Sequence, residues 1–379
     1  MKEISKILED GAYAIDITPS MFEEAKSHYS AMGSYLENND IMANISPCGS
    51  IVMGTIVRPL LKDDNDYFDI DVIVKRMDLE KKHCTPSDVR DPVEDALRSS
   101  DRYKDRIENC DECITLLYVL NGKEGGFRLD LDACVADLAN PKATACETHG
   151  DYADDAVAIA KKAPDDWLGS NPNGLCDWFL TENQRFANAG RMKRKEAVFS
   201  RNQTLYESVE EVPDLMDRSA LQRAVQIAKR SRDEHYRMSR LDNKPTSCVL
   251  TVLMAKVSKD LPDDASVLDI LTSFTERLQR DKLLVELGES CLIGASGHWD
   301  LSNPVYDENM LDGWGNSDVN AFFRWAETLG ADLAGLQQSN AKKEAAAASI
   351  FGKKVKENIL PATAGTAAAV VPHKPWRSI

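Results

Sequence analysis

Residues 47–74 read PCGSIVMGTIVRPLLKDDNDYFDIDVIV, and two features inside them constrain the fold more than anything else in the chain. One is a Gly49-Ser50 turn followed by Gly54-Thr55; the other is Asp69-Ile70-Asp71, embedded in an apolar run. Alternate residues of a β-strand point to one face, so Asp69 and Asp71 project together while Phe68, Ile70 and Val72 fill the opposite side. Paired carboxylates on one strand face repel unless a cation joins them. Upstream, Gly49 lets the backbone approach phosphate oxygens, and Ser50 begins a short helix whose amides and hydroxyl suit a polyphosphate. Magnesium takes hard oxygen ligands, and two such ions can clamp the attacking and leaving oxygens of a nucleotidyl transfer. The competing reading is a strand that ends in a solvated acidic loop. It holds for Asp63, Asp64 and Asp66, and is weaker for Asp69 and Asp71, which lie inside the apolar run.

The pattern GS-x3-GT followed by DID resembles the polymerase-β-like nucleotidyltransferase superfamily. Within it, the pattern resembles the core of the bacterial CD-NTases, relatives of cyclic GMP-AMP synthase that make cyclic oligonucleotide signals in anti-phage defence.

At 379 residues and 43% hydrophobic content the chain can bury one large domain or two. A formal charge of −16 argues against a general nucleic-acid binder, whose phosphate-neutralising surface is basic. Residues 1–13 are charged throughout, and no later run approaches the length of an apolar membrane span, so a cytoplasmic location without membrane contact is expected. Nine scattered cysteines fit reduced thiols. Cys110-Asp-Glu-Cys113 and Cys146-Glu-Thr-His149 flank an apparent hairpin and could assemble a Cys3His zinc site. The spacing is loose, and buried free thiols are the preferred reading.

Periodicity predicts a helix over 19–37, with Met21, Ala25, Tyr29 and Tyr35 facing the core and bracing the sheet. A strand over 41–47 delivers the Gly-Ser turn, and a helix over 90–108 follows turn and cap residues at 85–88. Residues 113–120 and 127–135 read as strands joined by a glycine-rich turn. On the second of these, Asp130 and Asp132 share one face, and either can supply the third carboxylate of a two-metal site. The resemblance favours Asp130, in Leu129-Asp130-Leu131, because Asp132 falls where the family has an apolar residue.

Residues 170–179 read as a turn feeding a helix that buries Trp178 and Phe179, and they resemble the family's linker between core and helical lobe. From about 214 the pattern is helical. Leu221, Val225 and Ala228 form a stripe followed by Lys229, Arg230 and Arg232, of which Arg230 and Arg232 read as a solvated face. The resemblance implies that Lys229 contacts donor phosphates and that Ser247, at a later helix start, joins it. On chain chemistry alone, Thr246 or Ser247 is equally a helix cap. Helices are also expected over 265–288 and 322–338. Residues 303–314 resemble a family loop that borders the nucleotide pocket, where Asn303 or Tyr306 would touch a base. Residues 341–379 carry seven Lys or Arg against two Glu and read as a mobile basic tail. Some CD-NTases are handled at this end by conjugation-type regulators, an expectation weakened here by the terminal Ser-Ile.

The expected fold is therefore α+β: a polymerase-β-like core with a mixed sheet over 1–165, a helical lobe over 166–340 and a tail over 341–379. The expected site comprises Asp69, Asp71 and Asp130 as catalytic metal ligands for two magnesium or manganese ions. Gly49, Ser50, Thr55, Lys229, Ser247 and Asn303 would bind the nucleotide. The resemblance implies condensation of nucleoside triphosphates, ATP and GTP, into a cyclic di- or trinucleotide read by a downstream effector. The alternatives are a template-independent transferase acting on RNA ends or protein, and a non-catalytic nucleotide sensor. Base choice, linkage, ring size, activating signal and oligomeric state are not legible in the chain.

Overall fold

The computed structural model describes residues 2–58, 67–108, 113–119, 126–206, 208–211, 216–241, 244–286 and 299–360. Helix α1 (Lys2–Ile15) is followed by α2 (Pro19–Glu37), whose first turn is capped by the Thr18 hydroxyl accepting from the Met21 amide. Strand β1 (Ala43–Pro47) leads into the single turn of α3 (Gly49–Val52), and β2 (Tyr67–Arg76) carries the two aspartates. Helix α4 (Pro86–Ser99) precedes β3 (Ile107–Glu108), β4 (Ile114–Val119) and β5 (Gly126–Ala136). Short α5 (Pro141–Thr144) and strands β6 (Val157–Ala160) and β7 (Trp167–Ser170) complete the sheet. The rest is helical: α6 (Pro172–Asn188), α7 (Arg191–Arg201), α8 (Ala220–Ser239), α9 (Ser247–Ser258) and α10 (Val267–Glu286). Then come α11 (Asn316–Gly335), α12 (Asn340–Phe351) and α13 (Lys353–Ile359).

The sheet is mixed, in the order β1-β2-β5-β4-β3. Strands β2 and β5 run parallel, bringing Asp71 opposite Asp130 and Ile73 opposite Asp132. β4 pairs antiparallel with the first half of β5, and β6 takes over the same edge at Cys134. Each face of the sheet joins a different core. Phe68, Ile70, Val72 and Val74, with Leu129 and Leu131, pack against α2 and α4. Ile73 and Cys134, on the carboxylate face, belong to the core built by the helices. The aspartates thus stand where sheet and helical lobe meet.

Three expectations change. The helix expected over 90–108 runs Pro86–Ser99, because Thr85 and Asp88 form a reciprocal capping box that starts it early. Beyond it, Ile107 and Glu108 pair with β4 instead. Residues 2–15, assigned with the sheet, place Ile4, Ile7, Leu8, Ala12 and Ile15 in the helical core. Residues 341–360 are not a tail: α12 and α13 pack onto the lobe, burying Ala346, Ala347, Ile350 and Phe351. The reason is an apolar stripe at helical spacing, whose Phe351 ring occupies the place where a side chain at Gly11 would stand, 2.3 Å from a Cβ built there. Residues 361–379 lie outside the described residues, as do Asp63, Asp64, Asp66 and Cys110.

Candidate active site

The turn that leads into the site is tied to the strand that carries its acids. The Cys48 amide donates to the Asp71 carbonyl at 2.9 Å, and the Gly49 amide donates to Cys176 Sγ on α6 at 3.1 Å. Gly49 has φ +64°, and a Cβ there would lie 2.1 Å from Asp71 Oδ2, so glycine is required on both counts. The Thr55 amide closes the turn on the Ser50 carbonyl at 2.9 Å. From the other wall, α8 stitches itself to this segment: Gln222 to the Met53 carbonyl, Gln226 to Ile56 and Lys229 Nζ to Thr55 at 3.0 Å.

Between these walls lies a cleft of about 840 Å³. Gly49, Ser50, Thr55, Asp69, Asp71, Lys229 and Ser247 all line it. Asp130 stands behind the lining residues, opposite Asp71 on the neighbouring strand, and one of its oxygens accepts from Thr115 Oγ1 at 2.6 Å. Asp132 shares that face one step further along, where its charge is felt by Cys48 and Cys134. The charges of Asp69 and Asp71 are instead coupled to Asp130.

The electrostatics follow from this crowding. Burial, then the charges of Asp130 and Asp69, push the Asp71 carboxyl up to about 6. Enclosure by the cleft walls, then Asp130, raises Asp69, and burial raises Asp130. Lys229, 4% exposed, is pushed down to about 8 by burial and then by Arg232. Three hard-oxygen donors with unbalanced negative charge suit a divalent cation such as magnesium. Among the described residues no three His, Cys, Asp or Glu side chains are drawn together into a finished metal cage. The carboxylates of Asp69, Asp71 and Asp130 share a face rather than a point.

Thr246 is the cap of α9, its hydroxyl accepting from the Val249 amide at 3.4 Å, which leaves the Ser247 side chain facing the cleft. Thr55 is fully buried, and among the described residues its hydroxyl has no hydrogen-bond partner. Asn303 lies outside the cleft lining; its amide group serves its own loop, donating to Glu308 at 2.7 Å and accepting from the Val305 amide at 3.1 Å. Tyr306 is buried against Asn140, away from the lining.

The solvated face expected at Arg230 and Arg232 is overturned: each is 4% exposed. Helix α8 is the central helix of the lobe, and its basic residues are used internally. Arg230 donates to the Arg58 carbonyl, while Arg232 donates to the Pro245 carbonyl at 2.7 Å and pairs with Asp233 at 2.8 Å. Arg58, Tyr67, Asp233, Tyr236, Arg240 and Lys244 also line the cleft, and no motif in the sequence singles them out. Extending the helical period from Lys229 through Arg232, Asp233 and Tyr236 is the signal that finds part of this set. For zinc, Cys110 lies outside the described residues, Cys113 approaches Thr115, and Cys146 is buried beside Ala143. Neither Cys113, Cys146 nor His149 joins a metal-holding group among the described residues.

No protein-family model matches the sequence. A c-di-GMP synthase of Roseivirga ehrenbergii is 25% identical over 260 residues, 67% of this chain and 60% of that protein, so the match spans less than two thirds of the relative. Among solved structures, the Bradyrhizobium diazoefficiens CD-NTase CdnG in complex with GTP superposes with a TM-score of 0.69 at 18% identity, covering 94% of this chain and 97% of that one. The Escherichia coli MS115-1 CdnC:HORMA-deltaN complex gives 0.58 at 14% identity, over 93% and 96%. No helix among the described residues is long and apolar enough to cross a membrane.

Proposed function

We propose that this chain, which has the fold of the bacterial CD-NTases, is a metal-dependent nucleotidyltransferase. It condenses nucleoside triphosphates, ATP and GTP, into a cyclic di- or trinucleotide messenger for anti-phage signalling in the cytoplasm. One observation supports this above all: Asp69 and Asp71 open into the same cleft as the Gly49-Ser50 turn, Lys229 and Ser247, with Asp130 registered beside them. The relatives support the substrate class, one being a c-di-GMP synthase and another having been solved with GTP.

In this reading Asp69, Asp71 and Asp130 are the carboxylates that would hold two magnesium or manganese ions. When bound, such ions would supply charge neutralisation at the triphosphate and a lowered pKa for the attacking ribose hydroxyl. Ser50, with the amides of its turn, receives the phosphate oxygens. Lys229 adds a positive charge from the opposite wall, and the Ser247 hydroxyl orients the same group. Thr55 keeps its carbonyl on Lys229 and so fixes where that charge stands. Each condensation releases one pyrophosphate, and the last one closes the ring. A downstream effector reads the product. A protein regulator acts on the enzyme; among the neighbours, CdnC has been solved in complex with HORMA-deltaN.

Incubation with ATP, GTP, CTP, UTP and magnesium, followed by mass spectrometry, tests the proposal. A cyclic oligonucleotide is expected. Linear polymer or nucleotide-modified protein as the sole product, or no pyrophosphate release, contradicts it.

A further inference from the structure

We propose that Thr115 is a positioning residue for the metal site: its hydroxyl holds Oδ1 of Asp130, so that Asp130 meets a divalent cation through Oδ2. This rests on the nucleotidyltransferase reading of the cleft.

Three neighbouring strands set up the contact. Asp130 on β5 lies opposite Asp71 of β2 on one flank and opposite Thr115 of β4 on the other. Side chains directly opposite each other on paired strands share a face of the sheet, so Asp71, Asp130 and Thr115 form one row on the carboxylate face. Thr115 is 5% exposed, and its Oγ1 donates to Asp130 Oδ1 at 2.6 Å. That is the length of a hydroxyl bond to an ionised carboxylate. The Cys113 thiol, two residues earlier and 3.4 Å from Oγ1, also bonds the Asp130 carboxyl. Both donors therefore come from the β4 side. Threonine is branched at Cβ and stiff at χ1, so the backbone of β4 fixes where this hydroxyl stands.

The arrangement matters because of the charges on the other flank. Asp69 and Asp71 are each coupled to Asp130 by repulsion. An aspartate with nothing to hold it turns away from such neighbours and loses its orientation toward a shared cation. Thr115 keeps Asp130 in one orientation before any cation arrives, and it occupies one oxygen of the carboxylate. Groups that hold a metal-binding side chain in this way change metal affinity by about 10–100-fold when they are removed.

Manganese titration of the full chain with a non-hydrolysable GTP analogue, followed by the paramagnetic resonance of free manganese, tests this on Thr115→Val, Thr115→Ser and Asp130→Asn. Valine keeps the branched shape and removes the hydroxyl; serine keeps the hydroxyl. Thr115→Val is expected to weaken, by about tenfold or more, the manganese equivalent that Asp130→Asn removes, while Thr115→Ser retains it. In turnover, Thr115→Val should lower kcat with little change in KM for the triphosphates. Crystals of the wild type with manganese should show Asp130 bound through Oδ2 with the Thr115 bond intact. That last measurement holds even where a variant fails to fold. Wild-type manganese affinity in Thr115→Val, equal loss in Thr115→Ser, or a metal-bound Asp130 that has released Thr115 overturns the inference alone. If Asp130→Asn leaves manganese binding unchanged, the role of Asp130 in the underlying function falls as well.

Discussion

The Asp71 carboxyl is wedged between the Gly49 backbone and two other acids, mostly out of water, and its affinity for a proton rises to about 6 in consequence. A carboxylate whose folded pKa is raised costs stability above its unfolded value, about 3.8. The penalty is absent below that pH, grows as pH rises through about 6, and is constant above. Asp71→Asn should therefore stabilise the metal-free protein by about 1–3 kcal/mol at neutral pH. In chelator, denaturant titration should show that advantage vanishing as pH falls from about 6 toward 4. The same variant should lose pyrophosphate release by about two orders of magnitude or more. Lys229 behaves in the opposite sense, being protonated only below about 8. Triphosphate affinity should fall about tenfold as pH rises through that value, and Lys229→Met should flatten the profile. At this scale the chain is partly legible. Asp69 and Asp71 can be read because polar residues inside an apolar strand demand a reason. The choice between Asp130 and Asp132 cannot, because both share a face and only strand register separates them. Asp130→Asn should abolish pyrophosphate release while Asp132→Asn retains most of it.

Among elements, α3 and α8 do the most to shape the cleft, and they differ in how openly their sequences declare it. The turn at Gly49 requires a positive φ and the absence of a side chain next to Asp71. Gly49→Ala should cost about 1–3 kcal/mol of stability through backbone strain. By moving Asp71, it should also cost on the order of a hundredfold in turnover; denaturation and pyrophosphate assays read the two separately. Helix α8 is harder to read. Its basic residues look like a solvated face because local sequence does not reveal that α1, α9, α10 and α12 surround the helix. Burial of Arg230 and Arg232 follows from tertiary packing, and a helical period alone is silent about how many neighbours a helix will have. Asn303 shows the same limit from the other side, since a loop that resembles a pocket border uses its amide to hold its own turn together.

For the whole molecule, the sheet and the helical lobe meet on the carboxylate face, so the cleft exists only if both cores form. α12 contributes to the second core through Phe351, fully buried against Gly11 of α1. Phe351→Ala should lower stability by about 3–5 kcal/mol, seen as an earlier unfolding transition. Product identity at low temperature should be preserved. That packing is hidden in the chain because the alanine-rich composition around it also fits a mobile segment, and only the partner helix decides between them. The central claim is that Asp69, Asp71 and Asp130 together hold divalent cations beside a bound polyphosphate. Anomalous scattering from manganese in crystals grown with a non-hydrolysable triphosphate tests it most directly. The account predicts metal peaks against the Asp69 and Asp71 carboxylates, with one also touching Asp130; metal held by Asp132 instead, or none on this strand face beside the bound triphosphate, would contradict it.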